Sequence, residues 1–376
     1  MSGHIKDCGN GVFRIVLHVL DPQTGKRRHR WHTFRGGKRE AQNERDRLAV
    51  QYQSGTGNLA PKATTVRDYL TKWLAHMTAQ ISPASHERYS GTLVNVISAV
   101  GNLALVDLRA PMIAKAYGDM VARGLSPRSV LLAHKVLKQA LAQAVAWELI
   151  GRNPADTVQA PRVERKEMAV LDTDQTAKLI EQARGTSLFV PVILGALCGL
   201  RRGEIVALRW ASVDLQAGAL SVVASMEQTK AGVRLKAPKS GKGRHVAMPS
   251  LLIEELRRYR LAEAERLLAI GVRLTDDHHV ATREDASPWT PLQLTHAFRT
   301  FALQRRLALR FHDLRHSHAT HMLASGVHPK IAQERLGHAS IAITLDLYSH
   351  VLPGMQEAAV GLVDNAMREA FKRQRK

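Results

Sequence analysis

Two segments of turn-forming composition interrupt this chain and limit it to separate folding units. Residues 54–65 (SGTGNLAPKATT) are rich in Gly, Ser and Thr, and residues 153–168 (NPADTVQAPRVERKEM) combine two prolines with a cluster of charges. Both compositions are typical of linkers. At 376 residues the chain is also too long for one ordinary domain. We therefore predict three domains, at 1–55, 65–158 and 168–376.

The charge of the chain indicates a polyanionic partner. Its 54 Lys and Arg residues against 33 Asp and Glu residues give a formal net charge of +21, which favours nucleic acid. A membrane fits less well, because the longest nearly apolar run, 188–200, contains Pro191 and is shorter than the roughly 18 residues that a spanning helix needs. We expect no membrane association.

The N-terminus and the cysteines predict a cytoplasmic protein. The first residues, MSGHIKDCGN, contain no apolar export segment. Cys8 and Cys198 are far apart in the sequence and have no CxxC partner, so neither a disulfide framework nor a zinc site is expected.

Hydrophobic periodicity predicts a β-rich first domain and an all-helical second one. Alternation over 12–20, a DPQTG turn and the run RRHRWHTF predict a hairpin, and a helix is predicted over 38–53. In the second domain the clearest helix starts at the Ser126-Pro127 cap and is predicted to stop at Gly151. The basic residues of both domains are candidates for DNA contacts, and a solvated basic surface is the alternative for the first.

The third domain is predicted to combine helices with a small sheet. A capped helix begins at Thr173, and a mainly apolar helix follows at 188–200. Three strands are predicted, at 220–226, 233–236 and 244–248. The fold class is therefore multidomain and mainly α, with a small N-terminal sheet and an α+β third domain.

Four residues near the C-terminal end could act on one phosphate: His312 and Arg315 in FHDLRHSHATHML, and His338 and Tyr348 in RLGHASIAITLDLYSHV. If HDLR is helical, His312 and Arg315 face the same way, and one could exchange protons while the other neutralises phosphate charge. A basic helix face that only touches DNA is the alternative. For Tyr348 alone, the alternative is a half-buried packing residue.

Glycine and apolar alternation predict where two of these residues lie. Gly337 is expected to end a helix that begins at Pro329, which places His338 on the following turn. Beyond it, apolar residues at 341, 343, 345 and 347 alternate with polar ones. That alternation predicts that Tyr348 lies off the core.

Two cationic residues upstream are further candidates. Arg201, in LCGLRRGE, could be held by Glu204 and match a phosphate in a planar, bidentate way; a purely structural Arg–Glu pair is the alternative. Lys239, in APKSGKGRHV, lies on a Gly-rich turn and could donate a proton to a leaving oxygen. A basic loop that only touches phosphates is its alternative, with Lys242 as the competing lysine.

The histidines of the C-terminal segment raise the alternative of a metal site. His316, His318 and His321 are close in sequence, but there is no HExxH motif, no nearby Cys and, apart from Asp313, no carboxylate at ligand spacing. We therefore expect neither a metal nor a cofactor. Arginines, a lysine, histidines and a tyrosine fit metal-free attack on a phosphodiester, provided that the phenol, whose usual pKa is about 10, loses its proton.

The motifs GLRRGE, HDLR, LGH and the tyrosine, in this order, resemble those of the tyrosine recombinases, specifically the phage- or mobile-element-type integrases. The resemblance covers the whole chain. It implies an arm-type DNA-binding domain at 1–55, a SAM-like core-binding domain at 65–158, and a catalytic domain of the DNA breaking-rejoining type at 168–376. Cys198 departs from the threonine that is common in this family before Gly199.

The resemblance also implies the chemistry. Tyr348 would attack the scissile phosphate and form a 3′-phosphotyrosyl link, while Arg201 and Arg315 hold the non-bridging oxygens and His338 assists. A 5′-hydroxyl of the partner duplex would then reverse the step without ATP or metal.

The remaining implied features are the supporting residues and the partners. Lys239 would be the general acid, His312 would act in acid–base work, and Glu204 would support Arg201. The chain would bind double-stranded DNA at core and arm sites, together with accessory DNA-bending proteins. It would assemble on DNA as a homo-tetramer whose subunits swap the segment 353–376.

The sequence is also consistent with three other functions. A type IB topoisomerase-like enzyme would relax one DNA without joining two. A non-catalytic DNA-binding regulator would be expected to lack one or more of the six positions. A metal nuclease would be inhibited by chelation. The arm-type domain favours integration of a mobile element over resolution of chromosome dimers.

Overall fold

The computed structural model describes most of the chain, in six segments: 3–20, 27–53, 64–164, 169–238, 243–348 and 355–374. The chain divides into two compact units, 1–165 and 166–376. The linker predicted at 54–65 lies outside the described residues except for Thr64 and Thr65. The fold is mainly helical with small antiparallel sheets, as predicted. None of the described helices combines the length and apolar composition that crossing a bilayer requires.

The first unit begins with a three-stranded antiparallel sheet in the order β1-β2-β3, backed by one helix. These elements are β1 (Gly3–Asp7), β2 (Val12–Leu20), β3 (Arg27–Arg35) and α1 (Lys38–Gln53). Ile15 and Leu17 of the central strand pack against Leu48 of α1. The antiparallel pairing of the two predicted strands and the helix are confirmed, and the DPQTG turn lies outside the described residues. β1 was not predicted, because Ile5 is the only large apolar residue in GHIKD.

The rest of the first unit is helical in its described residues. It comprises α2 (Val66–Met77), α3 (Pro83–Val100), a 3₁₀ turn (Leu105–Asp107), α4 (Ala110–Ala122) and α5 (Pro127–Ala146). The Ser126 side chain accepts a hydrogen bond from the Ser129 amide and Pro127 occupies the first turn, so the predicted start of α5 is confirmed. Both features satisfy or remove amides that a helix start leaves unpaired.

The predicted end of α5 at Gly151 is wrong. The helix ends at Ala146, and Glu148 adopts a left-handed φ of 57°. This conformation lets the Leu149 amide bond to Ala144 O at 2.8 Å and turns Ile150 into the core, where it is 7% exposed. Burial of Ile150 therefore outweighs the local preference to continue the helix, although no glycine marks the turn.

The first part of the predicted linker 153–168 packs onto the helical core. Ala155 and Val158 are buried there, and Asn153 Nδ2 donates to Lys138 O at 3.0 Å. The linker prediction is therefore wrong for this part, because two apolar side chains and an amide anchor it. Residues 165–168 lie outside the described part of the chain.

The second unit is built around one buried helix, α7. Its helices are α6 (Thr173–Ala183), α7 (Phe189–Cys198), α8 (Arg202–Ile205), a 3₁₀ turn (Trp210–Ser212), α9 (Ser250–Ala269), α10 (Pro291–Gln304), α11 (Phe311–Ala324), α12 (Pro329–Leu336), α13 (Ile341–Tyr348) and α14 (Met355–Gln374). Gly195 of α7 lies so close to α11 that an added Cβ would be 3.3 Å from Leu314 Cδ1. The cap predicted for α6 is present, and it is a capping box in which Asp172 accepts from the Gln175 amide.

The strands of the second unit form two small sheets. One has the order β4-β5-β8 and the other pairs β6 with β7. Their bounds are β4 (Val213–Asp214), β5 (Ala219–Val222), β6 (Ser225–Thr229), β7 (Gly232–Lys236) and β8 (Arg244–Ala247). The single strand predicted at 220–226 is wrong: Val222 pairs with Arg244, whereas Ser225 pairs with Lys236. The largely apolar composition of 220–226 conceals the break between β5 and β6. Val223, at the break, is apolar, but it belongs to neither strand and is 61% exposed.

The strand-like alternation around Tyr348 is also misleading. Residues 341–348 form the helix α13, in which Ile341, Ile343 and Leu345 are exposed and Thr344 is fully buried. A helix turns about 100° per residue, so alternate residues do not share a face. Among the described side chains of α13, Thr344 is therefore the one that is buried against the rest of the unit.

Candidate active site

A left-handed glycine turns the chain from α7 into the arginine motif. Gly199 has a φ of 64°, and a Cβ at this position would lie 2.7 Å from both His318 Cδ2 and Leu336 Cδ2. Both the backbone conformation and the space therefore require glycine. The turn presses against α11 and α12 and so brings Arg201 next to them.

Arg201 bridges its own helix start and the turn that follows α12. Its Nη1 donates to Glu204 Oε1 at 2.8 Å, and its Nη2 donates to Gly337 O at 2.6 Å. The Arg201 amide also donates to Glu204 Oε2 at 2.8 Å. The predicted pair with Glu204 is present, and the guanidinium, 23% exposed, keeps an open side.

Glu204 is shared between two arginines, and the second, Arg244, was not predicted as a site residue. Arg244 Nη1 and Nη2 donate to the two carboxylate oxygens at 2.9 and 2.8 Å. Burial raises the pKa of Glu204, but the hydrogen bonds and charge of Arg244, followed by those of Arg201, lower it to about 2. The carboxylate is therefore ionised although it is 2% exposed.

Arg315 is buried on α11 beside Arg201. It is 2% exposed, and its Nη1 donates to Gly199 O at 2.6 Å while its Nη2 donates to Leu336 O. Burial and then the charge of Arg201 lower its pKa to about 9, so it stays protonated at neutral pH. A guanidinium has five N–H groups, so these two bonds leave donors for an anion.

His338 lies on the turn after α12, as predicted. Gly337 ends α12 with a φ of 64°, and His338 Nδ1 is 2.9 Å from the hydroxyl of the buried Thr344. Burial, and then Arg315 and Arg201, lower the pKa of His338 to about 3. The imidazole is therefore neutral, with Nδ1 engaged by Thr344 and Nε2 available for another group.

His312 lies one helical turn before Arg315 and keeps contact with solvent. Its ring meets the edge of His316 with centroids 4.7 Å apart. Partial burial, followed by the neighbouring His316 and Arg315, lowers the pKa of His312 to about 4. A neutral imidazole can accept a proton, which is what a general base requires.

The histidines further along α11 bind protein groups. His318 Nε2 accepts from Arg335 Nε at 3.1 Å, and His321 Nε2 lies 2.7 Å from Leu171 O. Within the described segments, no group of three His, Cys, Asp or Glu side chains has the arrangement of a metal site. His318 and His321 therefore connect α11 to α12 and to the start of the unit.

Acidification should destabilise the second unit through His318. Burial and then Arg335 lower its native pKa from 6.5 to about 3, so below pH 6.5 the unfolded chain binds a proton that the native protein does not. His318 alone should lower the free energy of unfolding by about 1.4 kcal/mol per pH unit between about pH 6 and 4, in addition to the contributions of His338 and His312, whose native pKa values are also lowered. Urea denaturation over this interval measures the loss. His318→Asn, which lacks the titrating ring, should lose less, and equal losses would contradict the assignment.

Two of the predicted residues cannot be placed in the site in full. Lys239, together with its competitor Lys242, lies outside the described residues, in the connection between β7 and β8. Tyr348 is the last residue of α13, and its side chain is outside the described part of the chain. The structure therefore brings together Arg201, Glu204, Arg315 and His338, with His312 on the same helix as Arg315.

Sequence reasoning missed Arg244 and Thr344. Arg244 is 40 positions from Glu204 in the chain, so no local spacing connects them. Thr344 follows His338 by six residues, and a helical segment by itself does not show that this side chain turns back to the histidine.

Comparisons with known proteins show which family the chain resembles. Residues 169–354 match the model of the family described as "Phage integrase family". The chain is 25% identical over 382 residues to a tyrosine recombinase XerC-like protein of Caldanaerobacter subterraneus subsp. tengcongensis, covering 96% of this chain and 97% of that protein. It is 28% identical over 248 residues to the ICEBs1 integrase of Bacillus subtilis, covering 65% and 67%.

Solved structures show the same fold. The Tn1549 transposon integrase in complex with transposon right end DNA superposes with a TM-score of 0.70 at 17% identity, covering 80% of this chain and all of that one. A lambda integrase tetramer bound to a Holliday junction superposes with a TM-score of 0.58 at 18% identity, covering 89% of this chain and 95% of that one.

Proposed function

This chain belongs to the phage integrase family of tyrosine recombinases, and on that premise we propose that it is a site-specific DNA recombinase of a phage or other mobile element. One observation carries the proposal. Arg315 and Arg201 donate to the successive carbonyls of Leu336 and Gly337, and His338 is the next residue. Three groups that can bind one phosphate thus meet at a single turn.

The two arginines bind the non-bridging oxygens of the scissile phosphate. Planar guanidinium groups match such oxygens in a bidentate way, and rigid donors stabilise the charge that grows as the phosphate becomes five-coordinate. Arg315 is fixed by two carbonyls, and Arg201 by Glu204 and Gly337. The free energy spent on burying Arg315 is offset when an anion arrives.

The neutral histidines complete the proton chemistry. With the Thr344 hydroxyl at Nδ1, the Nε2–H of His338 donates to a phosphate oxygen. His312, whose pKa is held low, takes part in the removal of the phenolic proton. This assignment supports attack at neutral pH, where a phenol by itself is protonated.

Tyr348 is the nucleophile in this proposal. Its phenolic oxygen bonds to the phosphorus, the bond to the 5′-oxygen breaks, and Lys239 supplies the proton to that oxygen. The DNA 3′-end is left as a phosphotyrosine. A 5′-hydroxyl from the partner duplex then attacks the same phosphorus and releases Tyr348, so bond energy is conserved and no ATP is consumed.

The remaining domains bring DNA to this centre. We assign the arm-type domain to 1–55, the core-binding domain to 65–158 and the catalytic domain to 168–376. The net charge of +21 supports binding to double-stranded DNA. We place this activity in the cytoplasm of a bacterial host and assign accessory DNA-bending proteins to it as further partners.

Assembly into a homo-tetramer is part of the same proposal. Among its described side chains, the helix α14, within the segment 353–376, exposes the large apolar residues Val360, Val363, Met367 and Phe371. Such a helix is stabilised when another surface covers it. A swap of this segment between subunits supplies that cover. The lambda integrase chain that superposes on this one comes from a tetramer bound to a Holliday junction.

A nicked, end-labelled suicide substrate carrying the element's own attachment site tests the function. With EDTA present, the protein should form a covalent adduct that survives a denaturing gel. A confirmed, tightly bound site without an adduct would replace the proposal with a non-catalytic regulator. An adduct with relaxation of one DNA but no joining of two would indicate a topoisomerase-like enzyme.

A further inference from the structure

We propose that Arg244 is a positioning residue for the phosphate-binding arginines: it neutralises Glu204, so that the charge of Arg201 remains available to the scissile phosphate. This inference rests on the proposed function. Arg244 is the first residue of β8 and lies outside the motifs that identified the site.

All three nitrogens of the Arg244 guanidinium bind protein atoms. Nη1 and Nη2 grip the two oxygens of Glu204 at 2.9 and 2.8 Å, and Nε donates to Arg335 O at 2.8 Å. The side chain is 9% exposed. Arg244 therefore acts on the DNA through other residues.

The contact of Arg244 with Glu204 changes the net charge around Arg201. Glu204 is a buried carboxylate, so an isolated pair with Arg201 would have a net charge of zero and would attract a phosphate weakly. With Arg244 the three groups carry one net positive charge. Arg201 contributes a single side-chain donor to Glu204, whereas Arg244 contributes two, so Arg244 is the principal counter-ion.

Arg244 also supports the turn that carries the histidine. A Cβ on Gly337 would lie 3.1 Å from Arg244 Nη1 and 3.2 Å from its Cδ, so the side chain packs directly against this glycine. The bond to Arg335 O fixes the end of α12 from the same side. One side chain thus binds Glu204 and packs against Gly337, and Glu204 and the Gly337 carbonyl are the two anchors of Arg201.

Lysine should not replace arginine here. A planar fork reaches two carboxylate oxygens and a third acceptor at once, whereas an ammonium is a point charge on a flexible stem. Arg244→Lys should retain the charge and lose the alignment, and Arg244→Gln should lose both.

The test measures single-turnover adduct formation on the suicide substrate, with affinity for the intact site measured in parallel. Arg244→Gln should slow adduct formation by about 10–100-fold, the scale of a misplaced catalytic group, and Arg244→Lys should fall between it and the unchanged protein. Affinity should change by less than about threefold, because most phosphate contacts lie elsewhere.

Arg266→Gln is the matched control. Arg266 grips another buried carboxylate, Glu263, at 2.9 and 2.6 Å, and its other bonds go to Glu284 and Thr282. It should keep the adduct rate of the unchanged protein. If both arginine variants were equally slow, loss of a buried ion pair in general would explain the result and the inference would fail.

A second substitution separates charge from packing. If Arg244 serves to neutralise Glu204, adding Glu204→Gln to Arg244→Gln removes the carboxylate that would otherwise neutralise Arg201, and it should recover at least about tenfold of the lost rate. A double variant that is slower still would overturn the inference. Should Arg244→Gln fail to fold, the double variant compared with Glu204→Gln alone decides: similar rates support the inference, and a further loss beyond about tenfold contradicts it.

Adduct formation by the unchanged protein tests the proposed function separately from the positioning role of Arg244. If it forms no adduct on a bound site, the proposed function fails. If it forms the adduct and Arg244→Gln does so at the same rate, only the positioning role of Arg244 fails.

Discussion

Tyr348→Phe should abolish covalent adduct formation, by at least about 10⁴-fold, because only the hydroxyl supplies the attacking oxygen. Affinity for the attachment site should stay within about twofold, since the aromatic ring and all cationic residues are retained. The suicide-substrate gel measures the first quantity and a binding titration at fixed salt the second.

Tyr259→Phe provides the matched control for this experiment. Tyr259 also carries a hydroxyl, which lies 3.1 Å from Thr282 Oγ1 on the α9 side of the unit. Its loss should leave the adduct rate unchanged. A residual adduct in Tyr348→Phe would assign the nucleophile to another residue, and a collapse of DNA affinity would show that the tyrosine holds the DNA.

Arg315→Lys should have the next largest effect, a loss of about 10²–10³-fold in the rate of adduct formation, which is the scale for removal of one transition-state donor. The arginine binds two backbone carbonyls while presenting further donors, and a lysine cannot do both. Burial beside Arg201 also disfavours the charged form of the new amine. Single-turnover kinetics at saturating protein measure the effect.

Arg310→Lys is the control on the same helix. Arg310 pairs with Asp313 at the start of α11, and its side chain is 71% exposed. Its replacement should change the rate by less than about threefold, because lysine keeps the positive charge beside Asp313 and the Arg310 side chain binds Asp313 and not the phosphate-binding residues. A near-normal rate for Arg315→Lys would mean that Arg315 only positions DNA.

Local sequence was sufficient for the helix boundaries that depend on neighbouring residues. The Ser126-Pro127 start, the Asp172 cap and the Gly337 end all involve contacts within a few residues. The pair Arg201–Glu204 belongs to the same class, because three residues span one helical turn.

Elements whose fate depends on distant contacts were predicted less well. The run 220–226 remains apolar across the break between β5 and β6, and it is the separate partners, Arg244 and Lys236, that divide it. α5 ends early because the core takes up Ile150. The strand partners and core contacts that decide these two boundaries are distant in the sequence, so hydrophobic periodicity could not reveal where β5 and α5 end.

The sequence by itself determined which chemical groups we propose for the site, because the motifs and their order carry the arginines, the histidines and the tyrosine. Only the tertiary structure decided how their charges are balanced. Arg244 reaches Glu204 from β8, 40 residues further along the chain, and burial, followed by Arg315 and Arg201 from two other elements, lowers the pKa of His338. Ion pairing and hydrogen bonding act through space, so residues far apart in the chain set the charge and protonation of the groups that the motifs supply.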